Sequence, residues 1–478
     1  MTEHAAAADM IHRLRDDSGF VVRELLGENP WQAQLDIMES VRRNFITSVA
    51  SCHGAGKSYI AARVVIDFLL EHGPDTIVIT TAPTDRQVRG ILWQEIRGAA
   101  GKLAKRINLS SSPLTTGWDL GRDVKKKWFA LGFASRDYDP TAASGWHAGN
   151  VLVVYDEAAG MSDDVIDGLD GCVSNPRTCR VLKIGNPTDP SSEFGREHKH
   201  AGGSFNISAF DTPNFTSCGI TEEDMRTGEW REKAEQPGSE PYPMLVTPAW
   251  VAHVRSKWGE SNPLYIAKVL GQFPSDDPHG LFPMSLLARC HAAQIEPQGA
   301  GLLSLDVGRE GDDPSILGHR RGLHYRKLRE FRGMRLSDLR VEVQGEADRL
   351  GVEAIRIDSI GIGAGPADEM EEAGYRVDRI NFSEGSTRPE EYFNYRSECF
   401  FHLRDVMDEQ EIDLDPDDDD LTAQLAAITY GPHGKNDTVR VTPKEQIKRR
   451  LRRSIDDADA IAIAYAPSKP DEPLGIWV

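Results

Sequence analysis

Along the first half of the chain, short runs that are apolar on both faces alternate with longer stretches of helical periodicity. The apolar runs fall at residues 45–50, 76–80, 127–134, 151–155 and 180–184. A run apolar on both faces predicts a strand buried on both sides. Residues 59–70 and 85–107 repeat their apolar positions every three to four residues, which predicts amphipathic helices. Strands alternating with helices predict a parallel sheet covered on both faces.

From 188 to 283 the pattern weakens, and Pro, Gly and polar residues become more frequent. Residues 205–210 read as a strand and 250–257 as an aromatic-rich helix. Residues 274–283, with Asp276-Asp277-Pro278-His279-Gly280 inside, read as a linker. A new apolar strand covers 302–308, segments 316–318 and 323–328 suggest a hairpin, and 351–358 is a further strand. Residues 454–462 predict a helix whose alanines allow close packing on a sheet. The expected organisation is a lead-in over 1–28, a first domain over 29–275, a linker over 276–300 and a second domain over 301–478. The lead-in opens on a polar, Ala-containing stretch that is either a helix or a frayed tail.

At 478 residues the chain is too long for one ordinary core. No apolar run could span a bilayer, and the N-terminus has no signal-peptide pattern, so no membrane partner is expected. Six scattered cysteines show no zinc spacing and predict reduced thiols. The formal charge of −20 argues against indiscriminate coating of nucleic acid, though not against a local basic track. The acidic run at 413–420 reads as a solvated loop. Basic clusters stand at 125–127 and 448–453.

Chemistry enters at Ser51-Cys52-His53-Gly54-Ala55-Gly56-Lys57-Ser58, between a predicted strand and a predicted helix. A Gly-rich turn entering a helix offers phosphate both backbone N–H donors and a positive helix end. Gly54 and Gly56 would shape the loop, Lys57 would reach the outer phosphates and the Ser58 hydroxyl would sit on Mg²⁺. Ser51 stands where the usual pattern starts with Gly. The second half of such a site is the strand at 151–155, which ends in Asp156-Glu157. Asp156 would hold Mg²⁺ through water and Glu157 would orient or deprotonate the attacking water, which favours ATP hydrolysis.

A second acidic set lies in the C-terminal half. Asp306 and Asp358 end apolar strands. Asp456 and Asp459 are three apart on a helix and share a face, which Asp457 does not. Two strand-end aspartates plus a helical acidic pair are what a two-metal phosphodiesterase requires. Asp312 and Asp313 are either outer ligands or a turn before Pro314. The basic segment 448–453 directly precedes the acidic helix, a placement that suits a phosphate backbone led to the cutting site.

Taken together, these motifs resemble the large subunit of tailed-phage terminases, the DNA-packaging motor, over most of the chain. Asn29-Pro30-Trp31-Gln32 is similar to that family's adenine motif, with Gln32 on the base and Trp31 nearby. Tyr155-Asp156-Glu157-Ala158 matches its hydrolytic motif, and Ile184-Gly185-Asn186-Pro187-Thr188 its coupling motif, in which Asn186 would sense the γ-phosphate. His53 stands where many members carry arginine.

The resemblance implies an α/β fold: an N-terminal P-loop ATPase of ASCE type with a mostly parallel sheet, and a C-terminal RNase H-like nuclease. In the nuclease, Asp306 and Asp358 match the first two acidic positions, Asp358 replacing a common Glu, and Asp459 with Asp456 supplies the third element. The family further implies ATP and Mg²⁺, with Mn²⁺ able to serve the nuclease. Its partners would be double-stranded DNA, a portal protein and a small subunit. A homo-oligomeric ring on the procapsid and a monomer in solution are implied, in the host cytoplasm and outside the mature virion. A trans-acting arginine is expected, with Arg136 as candidate and Arg86 and Arg89 as rivals, each with a surface salt bridge as the alternative. Two other readings stand beside this one: a helicase-nuclease of repair or restriction, which needs a second motor lobe, and an ATP-regulated DNA clamp with an idle nuclease fold.

Overall fold

The computed structural model describes residues 3–109, 111–121, 127–135, 146–174, 176–190, 192–236, 242, 244–275, 279–308, 313–359, 363–433, 438–451 and 453–467. The chain forms two compact units, Met1–His253 with Tyr265–Pro274, and Val254–Leu264 with Ser275–Val478. Among the described residues no helix is long and apolar enough to cross a membrane. None of the six cysteines, all of them within the described residues, stands in a disulfide.

In the first unit, β1 (Ile46–Ser51), β2 (Thr76–Ala82), β3 (Gly117–Asp119), β4 (Trp128–Ala134), β5 (Asn150–Asp156), β6 (Thr178–Gly185) and β7 (Gly203–Ile207) form one sheet. Its spatial order is β3-β4-β2-β5-β6-β1-β7, parallel throughout except where β3 meets β4. β2 and β5 are buried at every position, as their unbroken apolar runs require. β6 therefore stands between the phosphate-loop strand and the acidic strand, and the ends of all three meet at one edge of the sheet.

The helices that frame this edge are α1 (Glu3–Asp16), α2 (Gln32–Arg43), α3 (Lys57–His72) and α4 (Trp93–Leu103). α2 is tied to α3 by Arg42, whose Nη2 lies 2.7 Å from Asp67 Oδ1 in a largely buried pair. The expected helix over 85–107 is divided, because Arg86–Leu92 takes a wider π-turn before α4 begins. The strand expected at 205–210 stops at Ile207, where the Ser208 hydroxyl accepts the Phe210 N–H and starts a 3₁₀ turn. Beyond β6, α5 (Glu193–His198) is bound back to the sheet by Lys183, which is buried and donates to Glu193 and Glu197.

The second unit is built on β8 (Gly301–Asp306), β9 (Ser315–Arg321), β10 (His324–Phe331), β11 (Ala354–Asp358) and β12 (Val377–Ile380). Their order is β10-β9-β8-β11-β12, with an antiparallel hairpin side and a parallel side. One face buries Leu303, Leu305 and Ile357 against Leu339 and Val343 of α6 (Leu336–Leu350) and against Met370. Farther along run α7 (Tyr395–Gln410), α8 (Asp419–Ala426), the hairpin β13 (Tyr430–His433) and β14 (Thr438–Val441), α9 (Lys444–Leu451) and α10 (Asp456–Ala464). α10 packs on β8 and β9, and every one of its residues is buried. Ala458, Ala460, Ala462 and Ala464 keep that approach close. Within 276–300, helix Met284–Ala292 buries Leu286, Leu287 and Cys290.

The acidic run at 413–420 is not a solvated loop. Asp413 is buried and holds Arg326 Nη2 at 2.6 Å. Asp418 caps α8 by accepting the Leu421 N–H at 3.1 Å. Asp420 accepts from Lys257 and pairs with Arg453. These three carboxylates found a cation or a helix end that the linear sequence does not display.

Candidate functional site

The loop after β1 turns at Gly54 and Gly56, whose φ values of 70° and 82° lie in the region glycine alone enters freely. A Cβ on Gly56 would lie 2.6 Å from Gln34 Nε2, and one on Gly54 would lie 3.1 Å from the Val246 backbone. Lys57 is buried and its ammonium rests on the Cys52 carbonyl at 3.1 Å, inside the loop. The Ser58 hydroxyl donates to Asp156 Oδ2 at 3.0 Å, across 98 positions of sequence. Burial and the neighbouring Glu157 push the Asp156 carboxyl up to about 7.

Glu157 itself sits at φ 52°, ψ 50°, a left-handed conformation that a non-glycine residue adopts at a cost. Gly185 makes room for it, since a Cβ there would lie 3.0 Å from Ala158 N and 3.5 Å from Glu157 Cα. The next residue, Asn186, joins the pieces. Its side-chain amide donates to the Ser51 carbonyl at 2.7 Å, and its backbone N–H donates to Glu157 Oε2 at 3.4 Å. One residue thus spans the end of β1 and the carboxylate next to Asp156.

Around the expected adenine motif, Gln32 is exposed and donates to Asp36 Oδ1 at 2.7 Å. Trp31 caps α2, and its indole N–H is buried with no hydrogen-bond partner among the described residues. The glutamine that reaches the phosphate loop is Gln34, which is 4% exposed and caps α2 by accepting the Trp31 N–H at 3.3 Å. Sequence reasoning passed over it. Its signal was the capping-box position, three residues past the cap. His53 lies against Trp250, ring centroids 5.5 Å apart. Arg136 lies outside the described residues. Arg89 forms an exposed pair with Asp85 at 2.7 Å.

In the second unit, carboxylate oxygens of Asp306, Asp456 and Asp459 lie within 4.8 Å of one another, and all three residues are buried. Asp306 comes from the end of β8, and the other two from the first turn of α10. Burial, with the charges of Asp459, Asp456 and Asp358 added, raises the Asp306 carboxyl well above its usual range. Burial also raises Asp456. The Lys444 ammonium stands among them, 2.9 Å from Asp456 and 2.7 Å from Asp459. Burial opposes its charge, but Asp306, Asp459 and Asp456 outweigh that and hold its proton well above the ordinary lysine range.

Three buried carboxylates gathered around a positive charge form a hard-oxygen donor set, which suits Mg²⁺ or Mn²⁺. Asp358 ends the neighbouring strand and is half-buried; Asp306 feels its charge, but it is not one of the close three. Asp457 turns away to Gln424 and Lys327. Asp313 holds Lys448 at 2.7 Å, and Asp312 lies outside the described residues. A cleft of about 400 Å³ opens beside Asp456, with Lys257, Arg332, Lys448 and Arg453 on its walls.

No protein-family model matches the chain. It is 26% identical over 484 residues to a probable terminase large subunit of Enterobacteria phage P7, a match that covers 95% of this chain and 91% of that protein. Among solved structures, it is similar to the large terminase of a thermophilic bacteriophage, at 10% identity and a TM-score of 0.42 over 91% of this chain and 98% of that one. It is also similar to the nuclease domain of the large terminase subunit gp2 of bacterial virus Sf6, at 18% identity and a TM-score of 0.33 over 36% of this chain and 91% of that one.

Proposed function

We infer that this chain is a large terminase subunit of a tailed phage, an ATPase joined to a nuclease that packages DNA. The observation that carries the reading is the convergence of sequence-distant groups into two centres. Ser58 meets Asp156 in one, and Asp306 meets Asp456 and Asp459 in the other.

ATP is the substrate of the first centre. Backbone N–H groups of the loop and the start of α3 receive its phosphates, and Lys57 leaves the Cys52 carbonyl for the outer ones. Ser58 and Asp156 hold magnesium. Glu157 orients the attacking water. Asn186 binds both Ser51 and Glu157, so a movement of Glu157 on phosphate loss reaches β6 and, through Lys183, α5. Trp31, Gln32 and Gln34 border the base side.

Asp306, Asp456 and Asp459 hold the divalent ions of the nuclease, with Asp358 completing the set. Bound there, Mg²⁺ or Mn²⁺ activates water and stabilises the leaving oxygen of the phosphodiester. The cations of the adjoining cleft receive the backbone of double-stranded DNA without reading bases. A portal protein, a small subunit and a ring of copies on a procapsid in the host cytoplasm complete the machine. Asp312 or Asp313 contributes only indirectly, and a trans-acting arginine is supplied by a neighbouring copy.

The helicase-nuclease alternative needs a second motor lobe between the centres. The described residues from 188 to 274 hold β7, short helices and turns, with no second sheet. The clamp alternative needs a spent nuclease, and the gathering of Asp306, Asp456 and Asp459 speaks against it. The test uses single changes in the full chain. Glu157→Gln should abolish ATP turnover and leave metal-dependent cleavage, and Asp306→Asn should do the reverse. Loss of both activities from either folded variant would overturn the two-centre reading.

A further inference from the structure

The first turn of α10 presents two metal-holding carboxylates, yet its own start is poorly secured. The residue at its cap, Ile455, has no side-chain acceptor, so the first-turn N–H groups lack the usual local partner. Gln424 on α8 takes that place from outside. Its Oε1 accepts the Ala458 N–H at 3.1 Å, and its Nε2 donates to Asp457 Oδ2. Gln424 is 2% exposed, so both ends of a buried amide are committed to one helical turn. Asp457 receives a second bond from Lys327 Nζ at 3.0 Å, and Lys327 also reaches Asp418, the cap of α8, at 3.4 Å.

Asp457 lies between Asp456 and Asp459 in sequence but, about 100° around the helix from Asp456, takes Gln424 and Lys327 as its partners. Holding it there constrains the rotation of α10 about its axis, alongside the packing of that helix on β8 and β9. That rotation decides whether Asp456 and Asp459 face Asp306. We propose that Gln424 and Asp457 form a clamp that sets the rotation of α10 and thereby positions Asp456 and Asp459 to bind divalent metal. Neither residue touches the metal; both are positioning residues. This rests on the metal-centre reading above. Groups that orient metal ligands typically govern metal affinity by about 10–100-fold.

The test counts Mn²⁺ bound to the full chain by electron paramagnetic resonance, with circular dichroism confirming the fold. The nuclease ions are the class of sites lost in Asp456→Asn. Gln424→Ala and Asp457→Ala should each weaken that class by about 10–100-fold. The double variant should lose less than the product of the two single losses, because the two share the Gln424–Asp457 bond while each keeps one bond of its own, to the Ala458 N–H and to Lys327. Asp457→Asn keeps the shape but accepts from only one of the two donors, Gln424 Nε2 or Lys327 Nζ, so it should recover part of the affinity, and it serves if the alanine variants do not fold. Singles that bind like wild type, or losses that multiply in the double variant, would overturn the clamp. If Asp456→Asn itself loses no Mn²⁺, the metal-centre reading fails instead.

Discussion

Glu28 precedes the Asn29-Pro30-Trp31 segment and is bound on both oxygens. Oε1 accepts from Arg63 Nη2 at 2.8 Å and Lys102 Nζ at 2.6 Å, and Oε2 accepts from the Tyr59 hydroxyl at 2.7 Å and Arg63 Nε at 2.8 Å. Tyr59 directly follows Ser58, so this carboxylate pins the segment before α2 to the first turn of α3. Burial alone would raise its pKa, but the hydrogen bonds from Arg63 and Lys102 win and hold it at about 2 instead of 4.5. A lowered carboxyl stabilises the fold above its unfolded value of 4.5, and that stabilisation is lost as pH falls toward about 2. The full conversion is about 3 kcal/mol, and water access to this segment reduces it to about 1–2 kcal/mol.

Glu28→Gln removes that charge and leaves Arg63, only 4% exposed, with the half-exposed Glu95 as its remaining carboxylate. We therefore expect a loss of about 2 kcal/mol at neutral pH, below the usual cost of breaking a buried pair because glutamine keeps one acceptor. Calorimetry should show the melting transition of the first unit lowered by about 4–8 °C. The gap to wild type should narrow below pH ~4.5. Steady-state ATP turnover should show a raised KM with kcat little changed, since Glu28 touches no reacting group. A variant melting within about 1 °C of wild type, or a gap that widens in acid, would refute the reasoning.

Gly185→Ala places a methyl group against Ala158 N and Glu157, so kcat for ATP should fall by about 10–100-fold with KM nearly kept; an unchanged kcat would show that Glu157 has room to spare. Lys448→Gln should lower DNA affinity and reduce the slope of log K against log salt by about one. The same slope in wild type and variant would remove Lys448 from the DNA path.

Several elements were legible because their signals are local. The buried runs gave β2 and β5, and the Gly-rich turn gave the start of α3. The hairpin of β9 and β10 followed from two short apolar segments. Other features were not legible for a common reason. Asp413, Asp418 and Asp420 looked like a solvated acidic loop because their cations come from β10, from residue 257 and from residue 453. Gln34 drew no notice because its neighbour Gly56 lies on another segment. Solvation is the default for a charge only while its partners are unknown.

The sequence by itself determined the local pieces: a Gly-rich turn entering a helix, strand-end carboxylates, and an i, i+3 spacing that gives Asp456 and Asp459 one face. Those depend on backbone geometry within a few residues, which composition and spacing control. Only the tertiary structure decided which groups meet. It put Ser58 on Asp156 and Asn186 between Ser51 and Glu157, and it turned Asp457 toward Gln424 while its neighbours face Asp306. The reason is that a buried charge or amide must find a partner wherever packing brings one, and packing joins residues that the linear order keeps apart.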